Sequence, residues 1–248
     1  MTNFGICLDT FLPMRIAASS SSELINCLVF GESYNVIENQ EEWYYISSDY
    51  DNYKGFISAS NFHCFNKTIS FKLINSNTSI YSFQLKTNIK LGPGSALPDV
   101  LNFEIDGLKF KNFNIGASNI LTKPENTILD LVNCFIGVPY LWGGKSIFGI
   151  DCSGLTQMIY KALGKFIPRD SGAQEQFLKK EISFELLTTG DLVFFHQKMK
   201  IVHVGIYLGD SKIAHSAGNV HIDTLTKEGI IDYKGRLTHH FLIAKRLE

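Results

Sequence analysis

The sequence predicts an α+β protein: a C-terminal domain of helices packed on an antiparallel sheet, preceded by small all-β barrels. Three observations carry this. Residues 1–63 break into short runs of β-branched and aromatic residues, CLVF, YNVIE, WYYISS and GFIS, parted by Gly, Asn, Asp and Ser turns. Near residue 122 the pattern changes to helix signals. Beyond the second helix, DLVFF, VHVGIYL, KIAHSA, NVHID and FLIAKR alternate or run apolar like strands of one sheet.

In chain order, the first barrel spans 1–63. Its aromatic run Trp43, Tyr44 and Tyr45 must split between core and surface, because strand side chains alternate. A second small barrel is expected over 64–118, from ISFKLI, IYSFQL, the turn signal LGPGSALP and an Asp-Gly step that closes a hairpin in DVLNFEIDGLKFKNF. The third domain spans 119–248. It opens on TKPENTILDLVNCFIG, with Pro124 at a helix start, Ile128, Leu131, Val132 and Phe135 at helical spacing, and Gly137 as the stop. A Gly-rich loop then leads into a helix carrying Leu155, Met158, Ile159, Ala162 and Leu163 on one face and ended by Gly164.

Composition bounds the function. The 248 residues are 45% hydrophobic and 19% charged, enough for a core, and the net charge of −1 leaves no basic footprint for nucleic acid. No run approaches the roughly 18 apolar residues of a membrane span. The first residues, MTNFGICLDTFLPMRIAASSSS, lack a secretory pattern, and five cysteines without a CxxC pair suit a reducing compartment. A cytoplasmic monomer is expected. Four of the thiols sit among apolar neighbours as small hydrophobes; Cys152 does not.

Cys152 opens the second helix, where unpaired N–H groups and the helix dipole favour a thiolate nucleophile. His203 and His215 fall in strand segments joined by the tight turn LGDSK, so both can face one side, as a base and the group that orients it. Metal ligation competes for the same three residues but lacks an obvious fourth ligand. No metal and no organic cofactor is expected. His196, His221, His239 and His240 read as surface or loop residues, Lys145 as a solvated lysine and Trp142 as a cleft wall.

The stretch YLWGGKSIFGIDCSGLTQMIYKALG, followed by IPRDSGAQ, GDLVFF, IVHVGIYLGD and KIAHSAG, resembles the NlpC-type family of papain-like cysteine peptidases over roughly 122–246. His203 lies 51 residues after Cys152, and His215 follows 12 further on. The resemblance implies Cys152 as nucleophile, His203 as general base, His215 as its orienting partner, and Tyr140 as an oxyanion-side donor. With barrels in front, the chain resembles γ-D-glutamyl-L-diamino acid endopeptidases, which cut short murein peptides bearing a free N-terminal L-Ala in cell-wall recycling. That likeness implies Tyr53, Asp151, Ser153 and Ser171 as substrate contacts. It also exposes a departure: Ala17, in MRIAASSSS, stands where those relatives carry a glutamate for the free amine, leaving Asp151 with Tyr53, or Asp49 or Asp51, to serve. Two other readings fit: an amidase or acyltransferase using the same triad, and a non-catalytic wall-binding module.

Overall fold

Turn residues divide the N-terminal segment into strands short enough to curl. The computed structural model describes residues 3–66, 69–113 and 128–248. Strands β1 (Phe4–Ile6), β2 (Phe11–Arg15), β3 (Leu24–Val29), β4 (Ser33–Gln40), β5 (Trp43–Ser48) and β6 (Lys54–Ser58) form one sheet in the order β1-β4-β5-β6-β2-β3. Period-two alternation sends Leu12, Met14, Leu28, Tyr34, Ile46 and Ile57 inward. The aromatic run divides by the same rule: Tyr44 packs on this core, while Tyr45 lies against Phe56 on the other face.

The middle segment builds β7 (Phe71–Leu73), β8 (Thr78–Ser82), β9 (Thr87–Leu91), β10 (Ala96–Pro98), β11 (Asn102–Ile105) and β12 (Leu108–Asn112). They form a four-stranded sheet, β11-β12-β8-β9, and a separate β7–β10 pair. Asp106 and Gly107 both hold positive φ at the β11–β12 hairpin, the backbone that an Asp-Gly step tolerates best. Ile6, Leu8 and Phe30 of the first unit join Ile80, Leu97 and Phe110 in one apolar cluster, so the two β units share a core.

In the C-terminal domain, helix α1 (Ile128–Asn133) is followed by a two-stranded hairpin, β13 (Lys145–Ser146) and β14 (Gly149–Ile150). Helices α2 (Cys152–Ala162) and α3 (Ser171–Phe177) come next. Pro124 and the expected boundary at 118/119 lie outside the described residues. The sheet comprises β15 (Lys180–Ile182), β16 (Leu192–Gln197), β17 (Lys200–Gly209), β18 (Lys212–Ala217), β19 (Asn219–Leu225), β20 (Gly229–Ile231) and β21 (Leu237–Arg246). All pairs are antiparallel in the order β15-β21-β16-β17-β18-β19-β20, and β20 also pairs with β21, so strands β16 to β21 close on themselves. The α+β architecture with a small β barrel ahead of it is the one the sequence indicates, while the middle segment is a four-stranded sheet with a separate strand pair. Among the described residues no helix is long and apolar enough to cross a membrane.

Helix α2 departs from an ordinary amphipathic helix, because every one of its residues is buried. Leu155, Met158, Ile159 and Ala162 join the domain core. Its polar side meets the first barrel: Gln157 donates to Asp51, and Lys161 pairs with Glu32. Lys145, expected in solvent, is instead fully buried and also pairs with Glu32 at 3.1 Å. The correction has a plain cause: the barrel supplies the buried carboxylate these lysines need.

Candidate active site

Asp151 sets the start of α2. Its carboxylate caps the helix by accepting from the Gly154 N–H at 2.6 Å. Arg169 grips both oxygens, at 2.9 Å to Oδ1 and 2.7 Å to Oδ2, and the Gly143 N–H donates to Oδ2 at 2.8 Å. Arg169 in turn donates to Asn26 of the barrel at 2.8 Å. Gly143 holds φ of +74°, and a Cβ there would sit 2.7 Å from the Leu24 carbonyl oxygen, so only glycine lets this loop meet the barrel. At the other end, Gly164 at positive φ closes α2 with bonds from Gly164 N to Lys161 O and Lys165 N to Tyr160 O.

This framework presents Cys152 at the first turn, beside β17, where the backbone N–H groups of Val204 and Ser153 reach its sulfur. Burial nevertheless pushes the thiol up to about 11, and the Asp151 charge adds to the rise. The helix terminus alone suggested a thiolate; burial opposes it.

His203 on β17 and His215 on β18 are linked Nε2 to Nδ1 at 2.9 Å. His215 Nε2 lies 3.2 Å from Asp223 Oδ2 on β19. Because the carboxylate only accepts, His215 carries its proton on Nε2 and accepts at Nδ1. His203 then carries its proton on Nε2, leaving Nδ1 as a proton acceptor. Burial, with the neighbouring His239 and His215, holds the His203 imidazole well below its usual range, so it stays neutral. His239 stacks on His203 with ring centroids 4.1 Å apart, and His221 lies 3.2 Å from Asp223 Oδ2.

A cavity of about 430 Å³ opens over Cys152 between the barrel and the C-terminal domain. Ile25 and Tyr53 enter it from the barrel; Trp142, Ser153, Asp170 and Ser171 enter from the other side. Trp142 also ties the two together, donating to Glu23 at 2.7 Å. Asp170 precedes α3 without capping it, and its carboxyl contacts the Tyr53 hydroxyl. Burial raises the Asp170 carboxyl, while Arg169 and Tyr53 hold it back. Tyr140 is partly exposed; burial and then the Cys152 charge push its phenol up to about 12, so it keeps its proton. A more open groove of about 640 Å³, lined by Asn77, Cys134 and Phe148 among others, lies apart from these groups.

Residues 137–237 match the NlpC/P60 family model, and residues 10–63 match the bacterial SH3 domain model. The chain thus carries an NlpC/P60 domain behind a bacterial SH3 domain. A γ-D-glutamyl-L-lysine dipeptidyl-peptidase of Bacillus subtilis (strain 168) is 46% identical over 116 residues, covering 43% of this chain and 39% of that one. A protein of the same name from Bacillus cereus (strain ATCC 10987) is 40% identical over 114 residues, covering 45% of this chain and 33% of the relative. The chain thus spans well under half the length of these curated relatives. The crystal structure of an NlpC/P60 family protein from Bacillus cereus ATCC 10987 shares the fold, with TM-score 0.79 at 22% identity over 98% of this chain and 99% of that one.

Cys152, Ser153 and Ser171 of the NlpC/P60 domain share one pocket with Tyr53 of the barrel, while His203 and His215 form a bonded pair on adjacent strands. Asp151 lines the pocket too, yet its oxygens are engaged by Arg169 and two backbone N–H groups, so it positions α2. Ala17 is exposed on the loop after β2, outside the pocket. Asp49 bonds Ser33 and Asn35, and Asp51 bonds the Tyr53 N–H and Gln157, so neither faces the cavity. The other acid lining the pocket is Asp170. Sequence reasoning missed it, along with Asp223, Arg169, His221 and His239. The pair Arg169-Asp170 beside Ser171 was visible in RDSGAQ, and Asp223 is the last residue of NVHID. The histidines expected at the surface lie on strands, and closure of the sheet brings His221 and His239 against the central pair.

Proposed function

We propose that this chain is a cysteine endopeptidase that hydrolyses the γ-D-glutamyl–diamino acid bond of short murein peptides with a free N-terminal L-Ala. The reading rests on a thiol at the head of α2 in a barrel-capped pocket, its sulfur reached by the backbone N–H of Val204, the residue after His203 of the hydrogen-bonded chain His203–His215–Asp223. The names of the Bacillus relatives support the substrate class.

In the first half-reaction the Cys152 sulfur attacks the γ-carbonyl as its proton passes to His203 Nδ1. The oxyanion forms at the N-terminus of α2, with the protonated Tyr140 phenol as a further donor. His203 then protonates the departing amine of the diamino acid, leaving a thioester. Water, activated by the same imidazole, cleaves the thioester, frees L-Ala-γ-D-Glu and restores the thiol. His215 and Asp223 hold the tautomer that this requires and face the imidazolium as it forms.

Ile25 and Tyr53 of the barrel line the pocket; in this reading they bound its acyl side and limit it to a dipeptide. There Asp170, with Tyr53, binds the free α-ammonium in place of the glutamate that Ala17 does not supply. Ser153 and Ser171 hold the dipeptide's carboxylate. Such a pocket suits peptides already released from the wall, which fits a recycling role in the cytoplasm. The test compares hydrolysis of L-Ala-γ-D-Glu-diaminopimelate with its N-acetylated copy, for wild type and Asp170→Asn. Preference for the free amine that weakens in the variant supports the assignment; preference unchanged in the variant removes Asp170 from it.

A further inference from the structure

His215, His221 and Asp223 form a cluster that the proposed hydrolysis uses only in part. His215 and His221 are direct cross-strand partners on β18 and β19, with Asp223 two residues beyond His221 on the same face. Their ring centroids lie 4.6 Å apart. The Nε2 atoms of both rings stand 3.2 Å from the same carboxylate oxygen, Asp223 Oδ2. The three atoms lie within 4.8 Å of one another. Zinc bonds to imidazole nitrogen and carboxylate oxygen are about 2.0–2.2 Å, so neighbouring ligand atoms in a tetrahedral site are about 3.3 Å apart. Two of the three separations here already have that value. His221 is 36% exposed, which gives an ion an entry, whereas His215 is 1% exposed and anchors the site from within. The two nitrogens and one oxygen match the ligand preference of Zn²⁺ and its neighbours in the transition series.

We infer that His215, His221 and Asp223 form a transition-metal site that, when loaded with Zn²⁺, switches off the Cys152–His203 pair. The inference rests on the proposed triad for its consequence, but not for the binding itself. The switch follows from proton placement. Metal on His215 Nε2 takes the position of the proton donated to Asp223. A neutral imidazole ligated at Nε2 keeps its one proton on Nδ1. That N–H points at His203 Nε2, which must now accept, so the His203 proton moves to Nδ1, the nitrogen left for Cys152. The base is then blocked with no change in backbone. No proton is gained or lost by either ring.

The experiment uses the full chain in two measurements. Equilibrium dialysis against Zn²⁺ is run on Cys152→Ala, which removes the site thiol, with and without His221→Ala. Peptidase activity in the same Zn²⁺ is then measured for wild type and for His221→Ala, a residue outside the hydrolytic machinery. One ion per Cys152→Ala chain, at least tenfold weaker binding once His221 is lost, and Zn²⁺ inhibition of wild type but not of His221→Ala is the expected result. Absence of a bound ion, or equal binding with and without His221, overturns the site. Binding without inhibition overturns the switch. Failure of the triad itself would show separately, as metal-free activity that survives His203→Ala.

Discussion

At the residue scale, the proposed chemistry depends on two neutral partners. Burial holds the Cys152 thiol up at about 11 and the His203 imidazole well below 6.5. Iodoacetamide labelling of Cys152 should therefore keep accelerating as pH rises through 9 and 10; a plateau already reached near pH 6 would mean a preformed ion pair. Since the base works unprotonated, its lowered range moves the acid limb of kcat/KM below pH 6.5; a limb above that value would contradict a buried neutral imidazole. His203→Ala should lower kcat by about a hundredfold or more. Asp223→Ala should cost about tenfold in kcat with KM nearly unchanged, since Asp223 acts through His215 and touches no substrate. The proposed triad of Cys152, His203 and His215 was legible because each residue sits in a motif whose local structure is strongly specified. Asp223, His239 and Asp170 were not, since strand pairing and closure decide their neighbours and no local pattern marks them.

At the element scale, α2 is held by its cap. Asp151 bonds Gly154, Gly143 and Arg169, and Arg169 reaches Asn26 across the junction. Arg169→Ala leaves a buried carboxylate without its cation and should destabilise by about 3–5 kcal/mol, measured by urea unfolding. A loss below about 1 kcal/mol would mean the carboxylate is better solvated than its burial indicates. The start and stop of α2 were readable from Asp151 and Gly164, which cap it by local rules. Its polar side was not: Gln157 and Lys161 look like a solvated face until the barrel arrives. The β13–β14 hairpin and α3 escaped for a different reason, being too short to show a period.

At the scale of the whole molecule, a buried carboxylate joins the barrel to the C-terminal domain. Burial pushes Glu32 up, but Lys145 and Lys161 outweigh it and hold it at about 2. Its folded value lies below the ordinary 4.5, so its contribution is complete above about pH 4.5 and is lost as pH falls toward 2. Glu32→Gln should flatten the acid limb of the stability–pH curve; an unchanged limb would place acid sensitivity elsewhere. Nothing local to Glu32, Lys145 or Lys161 announces this triad, which lies 113 and 129 residues apart along the chain. The same docking brings Tyr53 and Cys152 to one pocket, so in the proposed function substrate choice belongs to the assembled chain. The most direct measurement is mass spectrometry of L-Ala-γ-D-Glu-diaminopimelate after incubation with wild type and with Cys152→Ala. Release of L-Ala-γ-D-Glu by wild type alone is the predicted result; an intact tripeptide with wild type, or equal release by the variant, would contradict it.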